Sequence, residues 1–592
     1  MRHALVILAC CSSALADGTG ANALILVDPM NADSMYAANV YAAARDIPAS
    51  NILHLDPAAA NWDAFLVAHP AAVEGTIENR RIGDHIDFIV VMPGAPYSIT
   101  TPSGIVEDRC TTLSQFAVGS LYTMLGVRDD IETGTLSVDA HLGYSTNDFD
   151  PVAIDGAARW LDGAVSTAPD ARQVFVGAML GYTGERGNTI DEVIDLIHRS
   201  VASDGTRPDG TFYFMNNEGD AARNVRAVEF PDAIAALATL GRTGEQIDAI
   251  MPLGRDDCLG IMTGSANPDI DNPTYTLIPG AFADHLTSYA GRFNTDSQVK
   301  MSRWIANGAS GSLGAVQEPC NYRGKFPRPK VHASYASGLT LGEAVVRAGT
   351  FIPFQMLLYG DPLTRAFTHI PDVEVPDFPV APATGVVQFS PQATTTHPTA
   401  SIESFDLLVD GVLVESITSG PFTLDTATLG DGHHEVQVVA RDDSPVEAAG
   451  RFVSSITVDN MSRSVTLTPS ITQGDLDDVV SLNVVATGPI DHVEILQGAR
   501  VVASVDGASG AVPVSAHLLG AGPVVLRARA VGVDGRASWS APATIDLDPA
   551  RVGGGSSAPI AFDYERTVLD NRPFVLELPA TYLDDLGEAT YT

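Results

Sequence analysis

At 592 residues the chain is too long for a single hydrophobic core, so we expect several domains. Its 34 Lys and Arg residues against 72 Asp and Glu residues give a net charge of −38 at pH 7. So acidic a surface repels nucleic acid and anionic membranes, which argues against both as partners. The acidity fits solubility outside the cell, with calcium binding as the alternative use of so many carboxylates.

The N-terminus has the pattern of an export signal. A short basic segment precedes the apolar run Ala4–Cys11, and small residues then lead to Ala16. This order predicts a signal peptide at residues 1–16 and a secreted or surface-exposed mature chain. A lipoprotein signal ahead of Cys10 is an alternative that Leu8 suits poorly. No later apolar run approaches the length of a membrane span, so no transmembrane anchor is expected.

Cleavage after Ala16 leaves three cysteines, Cys110, Cys258 and Cys320. In an oxidising compartment an odd number predicts either one disulfide with one free thiol, or three buried thiols. The sequence alone leaves both arrangements open.

The first part of the mature chain alternates strand-like and helix-like patterns. Short apolar runs predict strands, while apolar residues at helical spacing behind capping residues predict helices. The predicted strands lie at 23–28, 52–55, 86–92, 173–180, 211–215 and 247–251, and the predicted helices at 33–45, 62–68, 112–125, 189–202 and 231–240. This alternation predicts a mostly parallel α/β domain over about residues 22–370.

Beyond residue 371 the composition changes to Val, Thr, Ser, Gly and Asp with alternating patterns. Two copies of one unit are visible, each with a hairpin whose turn carries glycine, at Asp410-Gly411 and Gln497-Gly498. They predict antiparallel sandwiches at 376–460 and 461–549, followed by a linker at 550–558. The last segment, 559–592, resembles the first half of an Ig- or cadherin-like repeat. Because it is too short to close, the sequence favours a fragment of a longer protein.

Several motifs carry a family resemblance. They are MYAANVYAAARDIPASNILHL, FIVVMPGAPY, PGAFADHLTSYAG, NGASGSLGAVQEP and GDPLTRAF. Together they resemble a family of exported bacterial proteins that has no assigned activity. The order of elements, with Gly342-Glu343-Ala344 and Gly360-Asp361-Pro362, is more distantly similar to gingipain-type cysteine peptidases. The resemblance implies a caspase/gingipain-like α/β domain, and the repeats resemble bacterial Ig-like modules, which serve as spacers or adhesive stalks.

A peptidase of that type needs a His and a Cys after neighbouring strands. The resemblance assigns these positions to Thr263-Gly264-Ser265 and Thr287-Ser288-Tyr289, and neither holds the required residue. The chain therefore resembles a scaffold without the dyad. An alternative uses Cys320, after an apolar run, as the nucleophile and His285 as the base. His332 is a second candidate base.

Cys320 also has a structural interpretation, a disulfide with Cys258, because both cysteines flank the same strand region. Such a bond would stabilise the fold by about 2–4 kcal/mol. It would also remove the thiolate that a cysteine peptidase requires. The sequence favours this disulfide over a nucleophilic Cys320.

A basic loop stands out in so acidic a chain, since all three lysines lie between residues 300 and 330. Arg323, Lys325, Arg328 and Lys330 form the proposed anion-binding set, on a Gly- and Pro-containing loop. Arginine forks there could bind an acidic peptide or a sulfated or carboxylated polymer. The alternative is that these side chains pair with the surrounding Asp and Glu residues.

Oxygen-bearing side chains alternate at Asn267, Asp269 and Asp271, which resembles a calcium-binding loop. The Gly and the distant Glu of an EF-hand are absent, so the prediction of calcium depends on the alternating oxygen ligands alone. Asp361 is predicted to be a structural turn residue.

The leading hypothesis is an exported multidomain protein whose non-catalytic caspase/gingipain-like domain acts in extracellular or surface binding or assembly. Its partner would be an extracellular protein or a polysaccharide. The competing hypothesis is a cysteine peptidase or other hydrolase that uses Cys320 and His285.

Overall fold

The structure is a computed structural model that describes residues 18–56, 59–101, 114–134, 152–161, 164–320, 323–350 and 353–549. The predicted signal peptide, Cys110, the linker at 550–558 and the final partial repeat lie outside these residues. Within the described ranges, no helix is both long and apolar enough to cross a membrane.

Strands and helices alternate through the first part of the chain, as the sequence predicts. The strands are β1 (Ala23–Val27), β2 (Ile52–His54), β3 (Phe88–Val91), β4 (Ser98–Thr100), β5 (Gln115–Ala117), β6 (Arg159–Leu161), β7 (Ala164–Val165), β8 (Arg172–Gln173), β9 (Val176–Met179), β10 (Thr211–Met215), β11 (Thr243–Ile247), β12 (Cys258–Gly264), β13 (Leu277–Leu286), β14 (Gly311–Ala315) and β15 (Met356–Gly360). The helices are α1 (Ala32–Arg45), α2 (Trp62–Asn79), α3 (Val118–Thr123), α4 (Arg128–Glu132), α5 (Ile190–Ser203), α6 (Phe230–Thr239), α7 (Ser302–Ala306), α8 (Val331–Ala336) and α9 (Leu341–Ala348).

Ten of these strands form one sheet in the order β11-β10-β12-β13-β14-β15-β9-β3-β1-β2. Strand β1 pairs in parallel with β2 and β3, and β12 pairs in parallel with β10 and β13. Strand β15 is antiparallel to β14, from Gly311 opposite Gly360 to Ala315 opposite Met356. Strands such as β1, β3 and β10 are buried along their whole length, as expected when helices cover both faces of a parallel sheet. The predicted α/β class is confirmed.

Helix α2 runs past its predicted end and contains Pro70. A proline inside a helix removes one backbone hydrogen bond and favours a kink or an end. Here Phe65, His69 and Val73 of the same helix are all buried in the core. The His69 ring nitrogen Nδ1 also lies 3.0 Å from the Tyr122 hydroxyl. Tertiary packing therefore outweighs the local preference to stop at Pro70.

Two predicted elements are wrong in position. Strand β11 spans Thr243–Ile247, earlier than the predicted 247–251, because it is the outer strand of the sheet and lacks a fully apolar run. Of the predicted helix at 112–125, the described residues from 114 onwards retain only α3 as α-helix, because Gln115–Ala117 instead pairs with β4 as a short antiparallel ladder.

The rest of the described chain is all-β apart from a 3-10 turn at Thr426–Thr428 and one short helix, which confirms the predicted class of these repeats. Its strands are β16 (Asp372–Glu374), β17 (Val386–Phe389), β18 (Gln392–Thr394), β19 (Ile402–Val409), β20 (Val412–Ile417), β21 (Phe422–Asp425), β22 (Asp431–Asp442), β23 (Ala449–Val458), β24 (Val465–Pro469), β25 (Gln473–Asp475), β26 (Val479–Ala486), β27 (Ile490–Gln497), β28 (Arg500–Asp506), β29 (Ser509–Ser515), β30 (Gly522–Gly532), β31 (Ala537–Trp539) and β32 (Ala543–Asp548), with α10 at Ala516–Leu519. The hairpins β19–β20 and β27–β28 turn at Gly411 and Gly498, as predicted.

The two sandwiches are joined edge to edge. Strands β22 and β31 pair in parallel, with Gly432 opposite Trp539, so one sheet continues from the first sandwich into the second. Gly432 has a φ of 103°, and a Cβ atom at this position would overlap the Trp539 carbonyl oxygen, so only glycine permits the approach. The Arg527 guanidinium lies 4.9 Å from the Trp539 ring and donates to Asp410 Oδ1 at 3.3 Å. The two sandwiches therefore share one continuous sheet.

This double sandwich packs back onto the α/β domain. Asn39 of α1 donates to the carbonyl oxygens of Leu519 at 3.0 Å and Ala521 at 2.8 Å. The Asn39 side-chain oxygen accepts a hydrogen bond of 3.0 Å from Gln497 Nε2. One side chain thereby links the first helix of the chain to the second sandwich.

Both glycine turns contact the same short segment of the α/β domain. A Cβ atom added at Gly411 would lie 2.8 Å from Pro48 Cβ and would overlap the Ser50 hydroxyl. One added at Gly498 would lie 3.3–3.5 Å from three side-chain atoms of Ile52. The equivalent hairpins of the two sandwiches therefore hold residues 48–52 beside the outer strand β2.

We expect Asn39→Ala to lower the free energy of unfolding by about 1–3 kcal/mol, because Gln497 and two carbonyl oxygens each lose a half-buried hydrogen-bond partner. Chemical denaturation followed by circular dichroism measures this. The control is Asn79→Ala at the exposed end of α2, which should stay within about 0.5 kcal/mol of the parent chain. Equal stability of the two variants would contradict tight docking of the sandwiches.

Candidate functional site

The two strand ends that the resemblance assigns to a peptidase dyad are neighbours in the sheet. Strands β12 and β13 run parallel, with Thr263 opposite His285 and Gly264 opposite Leu286. The segments that follow them, beginning at Ser265 and Thr287, therefore leave the same edge of the sheet side by side. We call this the carboxyl edge of β12 and β13. Ligand sites of α/β proteins lie at such edges.

The carboxyl edge is covered by segment 217–226, which connects β10 to α6. Asn217 Nδ2 donates to the Gly264 carbonyl oxygen at 2.7 Å, and Arg223 Nε donates to Thr287 Oγ1 at 3.1 Å. The Arg223 carbonyl oxygen is so close that a Cβ atom at Gly264 would overlap it. The chain's own backbone thus covers the end of β12.

A buried ion pair holds this cover in place. Arg226 Nη1 donates to Asp284 Oδ2 at 2.7 Å, and Arg226 Nη2 donates to the Thr263 carbonyl oxygen at 3.0 Å. Their side chains are 3% and 0% exposed, respectively. Burial raises the pKa of Asp284, whereas the charge and hydrogen bond of Arg226 oppose that rise. Separating such a pair would leave an uncompensated buried charge, which costs several kcal/mol.

His285 lies inside the core rather than in an open site. Its Nδ1 accepts a hydrogen bond from Trp304 Nε1 at 3.0 Å, so its Nε2 carries the proton and donates to the Val299 carbonyl oxygen at 3.1 Å. Burial lowers the pKa of His285 to about 4. The ring is therefore neutral at pH 7 with both nitrogens in use, and none is left to take a proton from a nucleophile.

The predicted disulfide between Cys258 and Cys320 does not form. Cys320 is disulfide-bonded, whereas Cys258 is a free, buried thiol, so the pairing of Cys258 with Cys320 is wrong. The physical reason is that Cys258 begins β12 at one edge of the sheet, while Cys320 follows the opposite end of the parallel strand β14. The bonding partner of Cys320 lies outside the described residues. Because a disulfide sulfur is not a thiolate, the predicted Cys320–His285 pair has no nucleophile in this structure.

The free thiol of Cys258 is not a replacement nucleophile. Its side chain is buried, and burial together with the nearby Asp257 carboxylate raises its pKa to about 12. A thiol with so high a pKa stays protonated at neutral pH and is inert.

His332, the second candidate base, lies in an aromatic environment. Its ring is 5.3–5.9 Å from the rings of Phe212, Phe214 and Phe282. Neither ring nitrogen has a hydrogen-bond partner among the described residues. Burial, aided by the charge of Arg226, lowers the pKa of His332 to about 3. It is a neutral core residue that no substrate can reach.

The predicted anion-binding residues do not form one exposed group. Arg323 donates to Glu229 Oε1 at 3.2 Å, and Arg328 donates to Glu229 Oε2 at 2.9 Å. Lys325 is only 5% exposed, and burial lowers its pKa to about 8. Lys330 is half-buried at the start of α8. Two of the four predicted residues thus pair with a neighbouring carboxylate, as the alternative interpretation has it.

The predicted calcium ligands are engaged in contacts within the protein. Asp271 Oδ1 accepts hydrogen bonds from Arg303 Nη2 at 2.7 Å and from Asn307 Nδ2 at 2.8 Å. Asp269 Oδ2 accepts one from Asn272 at 2.8 Å. Asn267 donates its backbone N–H to Ser265. Within the described part of the chain, no three His, Cys, Asp or Glu side chains converge on a point where a metal ion could bind.

The comparisons with known proteins concern the fold alone. No protein-family model matches the chain, and no curated protein matches it in sequence. Among solved structures, the Arg-specific cysteine proteinase gingipain R is similar to it, with 9% identity and a TM-score of 0.40 over 75% of this chain and 100% of that one. Fibronectin(III)-like modules of Clostridium thermocellum CbhA match with 18% identity and a TM-score of 0.13 over 30% and 93%. A Bacteroides ovatus mixed-linkage glucan utilization protein in complex with a heptasaccharide matches with 13% identity and a TM-score of 0.18 over 30% and 48%.

Sequence reasoning missed the residues that close the carboxyl edge. Asn217, Arg223 and Arg226 lie in a polar segment without a recognisable motif. The one available signal is their position directly after β10, the neighbour of β12 in the sheet. That neighbour relation becomes known only with the strand order.

Replacing each of the two buried histidines with Leu should change the free energy of unfolding in opposite directions. His332→Leu replaces two unpartnered nitrogens with apolar atoms among three Phe rings, so we expect the free energy of unfolding to rise by about 1 kcal/mol. His285→Leu leaves Trp304 Nε1 and the Val299 carbonyl without partners, so we expect a loss of about 2–4 kcal/mol. Urea unfolding at pH 7 measures both. A greater loss for His332→Leu would contradict these assignments.

Both substitutions should weaken the pH dependence of stability relative to the parent chain. Both imidazoles are neutral in the folded chain, whereas the unfolded chain takes up protons below about pH 6.5. Above about pH 6.5 these histidines do not reduce the free energy of unfolding. Below it, the free energy of unfolding falls as the pH decreases towards their pKa values in the folded chain, about 4 and 3. His332→Leu should reduce this slope. A variant with the slope of the parent chain would rule out a neutral, buried His332.

Proposed function

We propose that this chain is an exported scaffold whose non-catalytic caspase/gingipain-like domain acts in extracellular or cell-surface binding or assembly. The observation that carries the proposal is the closed carboxyl edge of β12 and β13. Segment 217–226 covers it, and the buried Arg226–Asp284 pair holds that segment down. A hydrolase of this architecture would need the same edge open to substrate.

The chemistry of the candidate residues supports a non-catalytic role. The dyad positions hold Ser265 and Ser288, and neither has a described imidazole as a hydrogen-bond partner. The His285 nitrogens are both in use within the core, and Cys320 is oxidised. General-base catalysis requires a group of suitable pKa within reach of the nucleophile, and neither candidate histidine meets that condition.

Export rests on two features of the chain. Residues 1–16 have the order of segments typical of a secretory signal. Structural disulfides such as that of Cys320 persist in oxidising compartments and are rare in the reducing cytosol. The resemblance to an exported bacterial family agrees with both. We therefore expect the partner to be an extracellular protein or polysaccharide. It would contact the strongly negative surface of this chain.

Thiol labelling combined with a hydrolysis assay tests the non-catalytic role. We expect no alkylation of Cys320 by iodoacetamide in the native, unreduced chain, because its sulfur is in a disulfide. Cys258 should react only after unfolding. After reduction, Cys320 should become alkylated, yet the chain should release no fluorophore from a mixture of peptide amides.

The deciding comparison is of peptide hydrolysis by the reduced parent chain and by the reduced Cys320→Ser variant. Peptide hydrolysis by the first and none by the second would overturn the scaffold proposal in favour of a cysteine peptidase.

A fractionation experiment tests export. The full chain expressed in a bacterial host should appear outside the cytoplasm with its first 16 residues removed, as mass spectrometry of the N-terminus would show. A chain lacking residues 2–16 should stay in the cytoplasm. Retention of the full chain in the cytoplasm, with its N-terminus intact, would contradict the proposal.

A further inference from the structure

A crevice of about 510 Å³ lies between the α/β domain and the first sandwich. One wall comes from the end of α2, the residues that follow it and residues 125–126 and 173–175, and the other comes from the start of β20. Its apolar surface includes Ile77, Leu125 and Phe175 on the first wall and Val412 and Leu413 on the second. Clefts of roughly 300–1,000 Å³ between domains are common ligand sites.

The rim of this crevice is acidic. Glu74 is neutralised by Arg128, to which it is joined by two hydrogen bonds. Glu78 and Asp84 are exposed, and Arg81 is the one basic side chain among the lining residues. Because the chain as a whole carries a charge of −38, the field at this rim attracts cations and repels anions.

The second wall is a strand at the end of its sheet. In the described part of the chain, β20 pairs with β19 alone, so one side of its backbone has no partner strand. The ladder between the two strands is irregular between Leu407 and Leu408, which offsets the last residues of the hairpin. Terminal strands of this kind can accept an extended peptide through main-chain hydrogen bonds.

We propose that this crevice binds an extended peptide segment of a partner protein, in which Lys or Arg alternates with aliphatic residues. The aliphatic side chains would pack against Leu125, Val412 and Leu413, and the cationic groups would reach Glu78 and Asp84. The inference rests on the binding role proposed above and names the chemistry of the partner.

The position of the crevice gives this binding a structural consequence. Its walls belong to two domains that already meet through the contact of Gly411 with Pro48 and Ser50. A peptide that touches both walls binds only while the domains are docked. It therefore raises the thermal midpoint of the whole chain, by an amount that grows with the logarithm of the peptide concentration above the Kd.

The test uses the full chain and a fluorescein-labelled Lys-Val-Lys-Val-Lys peptide with blocked ends, followed by fluorescence anisotropy. We expect saturable binding that weakens with added salt, and a rise in the thermal midpoint at saturating peptide. The variant Glu78→Gln with Asp84→Asn should raise the Kd at least about fivefold, since it removes two charges next to the cationic groups. The control Asp296→Asn with Glu403→Gln changes the net charge equally at exposed sites outside the crevice and should leave the Kd within about twofold.

Three results would overturn the inference. One is equal binding of a Glu-Val-Glu-Val-Glu peptide, and another is an equal loss of affinity in the two double variants. The third is full competition by spermine at its equivalent charge concentration, which would show that only cation attraction operates. None of these results bears on hydrolysis by reduced Cys320, so failure of the crevice and failure of the scaffold proposal can be told apart.

Discussion

The architecture depends on the buried ion pair between Arg45, at the end of α1, and Asp361, directly after β15. Arg45 donates to Asp361 through Nε at 3.1 Å and again through Nη2, and it also pairs with Asp204 at the end of α5. The Tyr41 hydroxyl donates to Asp361 at 2.7 Å. Burial alone would lower the pKa of Arg45, but the two carboxylates raise it, so the charge persists in the core. Losing either member of the Arg45–Asp361 pair would leave a buried charge unpaired, at a cost of about 3–5 kcal/mol.

The same network sets the position of the sandwiches. Arg451 of β23 donates to the Arg45 carbonyl oxygen at 2.9 Å, and Arg365 donates to the Ala449 carbonyl oxygen at 2.7 Å. A few residues after Gly360 therefore connect the core of the α/β domain to the first sandwich. The Gly342-Glu343-Ala344 helix belongs to this arrangement, since a Cβ atom at Gly342 would lie 2.8 Å from Pro362. Both motifs of the resemblance thus have a structural explanation that requires no catalysis.

Features that depend on residues close in sequence can be predicted from the sequence. Contacts between residues far apart in sequence cannot. Apolar runs locate most of the strands, and the glycine turns at Gly411 and Gly498 follow from local turn preferences. The sequence also predicts Asp361 as a structural turn residue, and its Oδ1 accepts a hydrogen bond of 3.0 Å from the Leu363 N–H. Its pairing with Arg45 joins residues 316 positions apart, and no local pattern encodes that. The cysteine pairing fails for the same reason, because edge positions in a sheet require the strand order.

Closure of the carboxyl edge also explains why the site residues could not be predicted from motif positions. A missing dyad shows only that one chemistry is absent, whereas the Arg226–Asp284 pair shows how segment 217–226 is held over this edge. Opening this edge would separate two charges that are almost fully buried, so substrate binding there would work against the stability of the fold. The crevice proposed above to bind a peptide lies between α2 and β20, where two domains dock, and not at the strand ends where α/β enzymes carry out their chemistry.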